Sequence, residues 1–133
     1  MTKTIAEELI ERSQRLLDSI EQQDWETYVE LCDPSLTAFE PEAVGHLVTG
    51  MDFHRFYFDL EGRENSSRST ISSPDLRIMG DTAVVTYVRL KQRIDDANRP
   101  VTSAYEETRI WQRQDGVWKH VHFHRSASGH IRL

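Results

Sequence analysis

The sequence has one cysteine, no apolar run of about 20 residues, and no excess of basic residues. A single cysteine, Cys32, cannot form an internal disulfide bond. Without a long apolar run there is no candidate membrane-spanning helix. The N-terminal segment turns polar at Glu7, Glu8 and Glu11, so it lacks the apolar core of a secretory signal. These absences predict a cytoplasmic protein without a membrane partner.

Basic residues are scarce relative to acidic ones: 16 lysines and arginines stand against 22 aspartates and glutamates, a formal charge of -6. A general nucleic-acid binder needs a basic face, so nucleic acid is not an expected partner, although a local basic pocket is compatible with this balance. The sequence also has no glycine-rich phosphate loop. Its 133 residues fit one domain, over residues 1–133, and are too few for a protein kinase, a P-loop enzyme or a dinucleotide-binding enzyme of ordinary size.

The first half of the chain has the patterns of helices. Apolar residues between positions 5 and 20 fall mostly on one face, and Thr4 with Glu7 forms a candidate capping box. Asp24 is expected to cap a short second helix, which Asp33-Pro34 ends because the residue before a proline avoids helical torsion angles. Three further elements are predicted in this half: a short strand at residues 37–39, a third helix that carries Val44, Leu47 and Val48 and ends near Gly50, and a fourth helix that carries Phe53, Phe56, Tyr57 and Leu60.

The second half has the patterns of long strands. Residues 84–90 are mostly β-branched or aromatic and apolar on both faces, residues 101–114 alternate, and residues 117–125 form the last strand. Asp115-Gly116 between two such runs is a strong hairpin signal, because this turn requires positive φ. The polar residues 61–69 are expected to be a loop. Helices followed by antiparallel strands predict an α+β fold, with the helices on one face of a curved sheet that closes into a cone with a pocket at its wide end.

Two arginines lie within apolar strands. Arg89 shares a face with Tyr87, and Arg109 shares a face with Trp111. A guanidinium in such a place must be paired or must reach a water-filled cavity, because desolvating it alone is very costly. One interpretation is a pair with a carboxylate such as Glu107 at the sheet surface. The other is that both arginines converge in a pocket that binds a carboxylate or another anion through bidentate hydrogen bonds.

Three histidines alternate in the last strand. His120, His122 and His124 are expected to point to one side of it. Same-face histidines can bind zinc, but successive members of such a set lie about 6–7 Å apart, and no cysteine or dense carboxylate set completes a site. Surface or interface histidines are therefore the favoured interpretation, and neither a metal site nor a cofactor is predicted.

Three other residues carry weaker chemical signals. His54 lies near Asp52 in the aromatic helix and is a candidate general base. Residues at that spacing do not face each other on a helix, so a packed or hydrogen-bonded histidine is the favoured interpretation. Cys32 at a helix C-terminus is expected to be a buried structural thiol. Phe58 lies off the main apolar face of its helix and is a candidate for a subunit contact.

Several segments are distinctive enough to identify a family. They are Cys32-Asp33-Pro34, LTAFEPEA at residues 36–43, GMDFHRFYF at residues 50–58, EETR at residues 106–109 with Trp111, Asp115-Gly116 with Trp118, and VHFHRS at residues 121–126. These segments resemble the association (hub) domain of calcium/calmodulin-dependent protein kinase II. The resemblance extends from about residue 5 to residue 128.

The resemblance implies a nuclear transport factor 2-like cone, in which a long N-terminal helix is held in a strongly bent antiparallel sheet. It also implies a self-associating protein, since family members form dimers that assemble into two stacked rings, commonly dodecamers or tetradecamers. Related kinase hub subunits are a further candidate partner. The family has a deep pocket lined by Tyr, His and two Arg. By motif these correspond here to Tyr28, His54, Arg89 and Arg109, and small carboxylates are the expected ligands.

The expected function is therefore a non-catalytic self-association domain that forms a ring-shaped homo-oligomer with an arginine-lined pocket. The family's kinase domain, calmodulin-binding segment and linker are not in this sequence, which is expected to be a stand-alone hub-like protein or an isolated domain, and not an enzyme. A small-molecule isomerase or dehydratase of the same cone fold is the alternative, with His54 as its candidate base. A ligand-sensing module that stops at a dimer is a third possibility. Departures from the family pattern at residues 61–69, at 95–100 and at His120 leave the ring size open.

Overall fold

The structure of the chain is a computed structural model that describes residues 2–61 and 67–132. Helices come first and long strands follow, as the sequence predicts. The elements are α1 (Ile5–Glu21), α2 (Trp25–Leu31), β1 (Cys32–Phe39), a 3₁₀ turn (Pro41–Ala43), β2 (Val48–Thr49), α3 (Asp52–Phe58), β3 (Ser67–Met79), β4 (Thr82–Ile94), β5 (Pro100–Gln114) and β6 (Val117–Ala127).

The long first helix forms because its N-terminus is capped and one of its faces is apolar. The Thr4 hydroxyl accepts a hydrogen bond of 3.1 Å from the backbone N–H of Glu7, which satisfies one of the free donors of the first turn. Leu9, Leu16 and Leu17 on the apolar face are fully buried. The predicted helix over residues 5–20 is therefore confirmed, and it packs against the sheet.

The second helix is capped as predicted and leads directly into a strand. The Asp24 carboxylate accepts hydrogen bonds from the Thr27 backbone N–H at 3.2 Å and from the Thr27 hydroxyl at 2.6 Å. The helix ends at Leu31, and β1 begins at Cys32. The strand predicted at residues 37–39 is thus the end of a longer one, because the chain is already extended where it reaches Asp33-Pro34.

The six strands form one curved sheet in the order β2-β1-β6-β5-β4-β3. The pairs are antiparallel except for β1 with β6, which is parallel. Asp115 and Gly116 both have positive φ, 50° and 80°, in the tight connection from β5 to β6, so the predicted hairpin is confirmed. The α+β fold, with the N-terminal helix against a curved sheet, is confirmed as well.

The third predicted helix, around residues 44–48, is wrong. The 3₁₀ turn at Pro41–Ala43 is followed by two residues with left-handed backbone, Val44 at φ 49° and Gly45 at φ 87°, which a right-handed helix cannot include. Val48 instead begins the short strand β2 and is buried against β1. Of the loop predicted at residues 61–69, residues 62–66 lie outside the described part, and residues 67–69 belong to β3.

A bulge in β6 overturns the prediction that the three alternating histidines point to one side. Ile110 of β5 is paired with His122, but the next residue, Trp111, is paired with His120, so Val121 is an extra residue in β6. The bulge reverses the alternation at that point. His120 is consequently fully buried, whereas His122 and His124 lie on the opposite side of the strand.

The two faces of the sheet differ in what covers them. The inner face, which packs against α1 and α2, carries buried side chains such as Ala83, Val85 and Trp111. The outer face carries the intervening residues of the same strands, which are only half-buried or exposed. Within residues 2–61 and 67–132, no helix combines the length and apolar character needed to cross a membrane.

Candidate functional site

The helices and the 3₁₀ turn enclose a cavity of about 330 Å³ over the inner face of β4, β5 and β6. This volume is at the lower end of the range for small-molecule sites. All four residues that the resemblance assigns to a pocket line this one cavity: Tyr28 from α2, His54 from α3, Arg89 from β4 and Arg109 from β5. Their convergence is a finding of the structure, while their role in ligand binding stays a prediction.

Arg89 is held by three polar contacts at the edge of the cavity. Its Nη2 donates to Glu21 Oε1 at 2.7 Å, its Nη1 to Glu107 Oε2 at 3.2 Å, and its Nε to the Ser69 hydroxyl at 2.8 Å. Glu21 is the last residue of α1, and the hydroxyl of Ser67 donates to the same carboxylate. Arg89 is only 3% exposed, and partners on three different elements compensate its charge.

Arg109 is even more enclosed. Its Nη2 donates to Glu107 Oε1 at 2.9 Å, and its Nε donates to the Tyr87 hydroxyl at 2.7 Å. That hydroxyl in turn donates to Glu107 Oε1 at 2.5 Å. The guanidinium carbon lies 4.5 Å from the ring centroid of Phe123, a cation–π distance. A guanidinium has five N–H donors. Among the described residues, Arg89 uses three of them, and so does Arg109 when its contact with His120 is included, so two donors remain on each.

Glu107 connects the two arginines. Burial alone would raise the pKa of this carboxyl, but the charges of Arg109 and Arg89 outweigh burial and lower the pKa to about 2. The pairing with a carboxylate and the convergence in one cavity, which the sequence left as alternatives, are therefore both present, while anion binding stays a prediction. Both arginines are paired with a carboxylate on the sheet, and both also face the cavity.

His120 and Cys32 extend the buried network to β1. Nη1 of Arg109 lies 3.4 Å from Nε2 of His120, and Nδ1 of the same ring lies 3.5 Å from the Cys32 sulfur. Because arginine can only donate, Nε2 accepts and the proton of the neutral ring is on Nδ1. Burial and the charge of Arg109 hold the pKa of His120 well below its usual value. Burial raises the pKa of the Cys32 thiol to about 12, consistent with the predicted structural thiol.

His54 faces the cavity from α3 without an aligned hydrogen bond on either ring nitrogen in the described chain. Its Nε2 lies 3.3 Å from Glu40 Oε1, and both side chains are 7% exposed. The candidate partner from the sequence, Asp52, is exposed at the start of α3. The carboxylate beside His54 therefore comes from the residue after β1, and it is an acidic group that the sequence analysis missed.

Aromatic side chains form the wall opposite the sheet. Phe58 packs against Tyr28 with ring centroids 4.8 Å apart, and against Trp25 at 5.1 Å. Phe58 also lines the cavity, which the sequence analysis did not predict, and its role as a subunit contact stays a prediction. The exposed aromatic of α3 is Phe56, with 61% of its surface accessible.

The cavity holds further charged residues that the sequence analysis did not name. Arg125 of β6 forms an ion pair with Glu42 of the 3₁₀ turn, and its guanidinium lies 5.0 Å from the ring centroid of Tyr105. Glu40, Glu42 and Lys91 are also in the lining. Arg125 lies two residues after Phe123 on the same face of β6, so strand periodicity could have placed it in the cavity. The positions of the two glutamates depend on the conformation of a turn. No cluster suited to a metal ion occurs among residues 2–61 and 67–132.

Comparison with known proteins adds a family to this geometry. The family model of the calcium/calmodulin dependent protein kinase II association domain matches residues 5–129. The chain belongs to the calcium/calmodulin-dependent protein kinase II association domain family. This membership confirms the resemblance found in the sequence, and it means that the cavity described above is part of an association domain.

The relatives of this association domain include a full-length kinase and a solved hub structure. The chain is 46% identical over 129 residues to the rabbit (Oryctolagus cuniculus) calcium/calmodulin-dependent protein kinase type II subunit delta; the match covers 95% of this chain, which spans 24% of the length of that relative. It is also 46% identical to the hub homology domain of Chlamydomonas reinhardtii, with a TM-score of 0.89 and coverage of 95% of this chain and 100% of that one.

A more distant structure shows the breadth of the fold. A nuclear transport factor 2-like protein from Salmonella enterica superimposes with a TM-score of 0.78 at 20% identity, over 96% of this chain and 93% of that chain. At this identity the likeness concerns the fold alone. The expectation of a nuclear transport factor 2-like association domain is therefore confirmed.

Proposed function

We propose that the chain is a self-association domain that forms a ring-shaped homo-oligomer, built from dimers and closing as a dodecamer or tetradecamer. The observation that carries this proposal is the match of the association domain family over residues 5–129. We propose further that residues 1–133 act as one domain without enzymatic activity of their own and that the location is cytoplasmic. Related kinase hub subunits are proposed as partners in mixed assemblies.

The outer face of the sheet supports self-association. Val84 of β4 is paired with Ile110 of β5, and Thr86 and Val88 follow Val84 on the same face of β4. These side chains are half-buried in the isolated chain, although the exposed face of an antiparallel sheet is usually polar. A second copy of the chain that covered this face would remove its apolar surface from water, at roughly 25 cal/mol per Å² of apolar area less the cost of association.

Light scattering after size exclusion tests the assembly. The proposal predicts a particle of twelve or fourteen times the 15.5 kDa chain mass at micromolar concentration. A dimer would favour the ligand-sensing module that stops at a dimer, and a monomer would contradict self-association altogether.

We also propose that the cavity binds small carboxylates through Tyr28, His54, Arg89 and Arg109. The proposal is supported by two guanidinium groups with remaining donors and by a buried imidazole without an aligned partner. A carboxylate accepts two parallel N–H bonds from a guanidinium, which gives such a site its geometric selectivity.

Titration calorimetry with benzoate, and with benzamide as its neutral counterpart, tests carboxylate binding. The change Arg109→Lys keeps the charge that Glu107 needs but loses the planar fork, so we expect about tenfold weaker benzoate binding (roughly 1.4 kcal/mol). Arg113→Lys, four residues further along the same strand and paired with Asp81, is the matched control and should bind like the parent. Equal binding of benzoate and benzamide would reject the proposal.

A small-molecule isomerase or dehydratase is the second candidate function. The observation that favours it is the Glu40 carboxylate 3.3 Å from His54 Nε2 inside the cavity, since a carboxylate that orients an imidazole is a common arrangement for a general base. Turnover in a substrate screen that is lost in His54→Gln, but kept in the exposed control His46→Gln, would establish this function in place of the non-catalytic one.

A further inference from the structure

The cations of the cavity differ in how firmly their partners hold them. Arg89 and Arg109 each make three polar contacts to groups on α1 or on the strands of the sheet. Releasing either guanidinium would break contacts inside the sheet. Arg125 is different, because the carboxylate paired with it belongs to Glu42 on the short 3₁₀ turn.

Glu42 is placed so that its side chain can leave Arg125 without any change in the fold. Its side chain is 36% exposed, compared with 14% for Arg125 and 4% for Glu21. Rotation about its side-chain bonds would carry the carboxylate into water, whereas the turn itself is held by backbone hydrogen bonds from Ala43 to Glu40 and from Val44 to Pro41. The next residue on the turn, Ala43, packs against the core and needs no movement.

The Glu42 carboxylate accepts a hydrogen bond from Nη2 of Arg125, a donor that a carboxylate ligand at this arginine would also use. Both residues line the cavity. Burial opposes ionisation of Glu42, but the hydrogen bond and charge of Arg125, with a smaller contribution from Arg89, keep its pKa below the usual value. An ionised carboxylate at this place forms an ion pair with the Arg125 guanidinium and repels an entering anion.

We propose that Glu42 is an internal competitor of the ligand: its carboxylate occupies Arg125 in the empty cavity, and an entering carboxylate displaces it. This inference rests on the proposed binding of small carboxylates. It makes Glu42 a residue that sets affinity and selectivity, because a ligand must offer Arg125 a better acceptor than the chain's own glutamate.

The change Glu42→Gln tests the competition, because it keeps the shape of the side chain and removes its charge. In benzoate titrations of the full chain we expect about tenfold tighter binding than in the parent. Glu26→Gln, on the exposed side of α2, removes the same charge away from the cavity and should leave the affinity unchanged. Should Glu42→Gln fail to assemble like the parent, Glu42→Ser carries the same expectation.

A double-mutant cycle with Arg125→Gln separates competition at Arg125 from a general effect of charge. The gain from Glu42→Gln should disappear when Arg125 is absent. The inference is overturned if Glu42→Gln binds benzoate no more tightly than the parent, if Glu26→Gln gives the same gain, or if the gain persists in the Arg125→Gln background. If neither the parent nor Glu42→Gln binds benzoate, carboxylate binding itself fails and the inference with it.

Discussion

Glu107 is the carboxylate that the two buried arginines of the inner face share. It accepts from Arg89, Arg109 and Tyr87 and is itself only 2% exposed. A buried ion pair adds little net stability, but removal of one partner leaves an uncompensated charge that is very costly. The network therefore stabilises the fold only as long as it is complete.

The first prediction follows from this dependence. Glu107→Gln should lower the free energy of unfolding by about 3–5 kcal/mol, because two buried guanidinium groups lose their common carboxylate. Urea titration at fixed chain concentration measures the loss. Glu106→Gln, the adjacent residue on the exposed side of β5, should change stability by less than about 0.5 kcal/mol. Similar losses in the two variants would contradict the network described here.

The buried ring of His120 is expected to make the free energy of unfolding depend on pH. The folded chain holds this buried ring neutral, with its pKa well below the usual 6.5 because of burial and the charge of Arg109. The unfolded chain takes up a proton on the ring below about pH 6.5, so it binds more protons than the folded chain, and stability falls as the pH decreases.

We expect His120 to account for a loss of about 1.4 kcal/mol between pH 7.5 and pH 5.5. The measurement is the urea midpoint at both pH values, in the parent and in His120→Gln. The variant should lack this part of the pH dependence. An unchanged dependence in the variant would show that other groups cause it.

Among the elements, α2 joins fold stability to the cavity. Its seven residues contribute Tyr28 to the lining and Trp25 to the aromatic wall. So short a helix has little stability of its own and depends on its cap and on tertiary packing. The cap is Asp24, which accepts two hydrogen bonds from Thr27.

Asp24→Ala should therefore lower the free energy of unfolding by about 1 kcal/mol, and benzoate binding should weaken with it because Tyr28 is less firmly placed. Asp24→Asn keeps a capping oxygen and should retain most of the stability and most of the affinity for benzoate. Denaturation and calorimetry on the same three proteins check this. Equal losses for Ala and Asn would mean that the charge of Asp24, and not its cap, is what matters.

The sequence predicts an element correctly where the local pattern of apolar and polar residues determines the structure. Alternation in β4 and β5 placed Arg89 and Arg109 on buried faces, and the family motifs added Tyr28 and His54. The bulge at Val121 could not be found in this way, because alternation alone carries no information on the register between strands.

The acidic residues of the cavity were missed for a related reason. Glu21 reaches Arg89 only because the end of α1 packs beside β3. The positions of Glu40 and Glu42 follow from a turn in which Val44 has positive φ, a conformation that β-branched residues rarely adopt. The apolar spacing of residues 44–48 indicated a helix there instead, but the pairing of β2 with β1 makes Val48 part of a strand.

At the scale of the whole molecule, the outer face of β4 and β5 is the surface that self-association would explain. Ile110→Lys places a charge in the middle of this face, and an unpaired charge in an interface costs several kcal/mol. We expect the variant to form smaller assemblies than the parent in light scattering. Gln112→Lys, on the same strand and face but exposed near its end, should assemble normally. A parent-like mass for Ile110→Lys would exclude this face as an interface.

The most direct test of the account is sedimentation velocity of the unmodified chain over a dilution series. A closed ring satisfies every interface, so the account predicts one fast-sedimenting species, a multiple of the 15.5 kDa chain, that persists on dilution into the low micromolar range. A single species of 15.5 kDa throughout the series would contradict self-association.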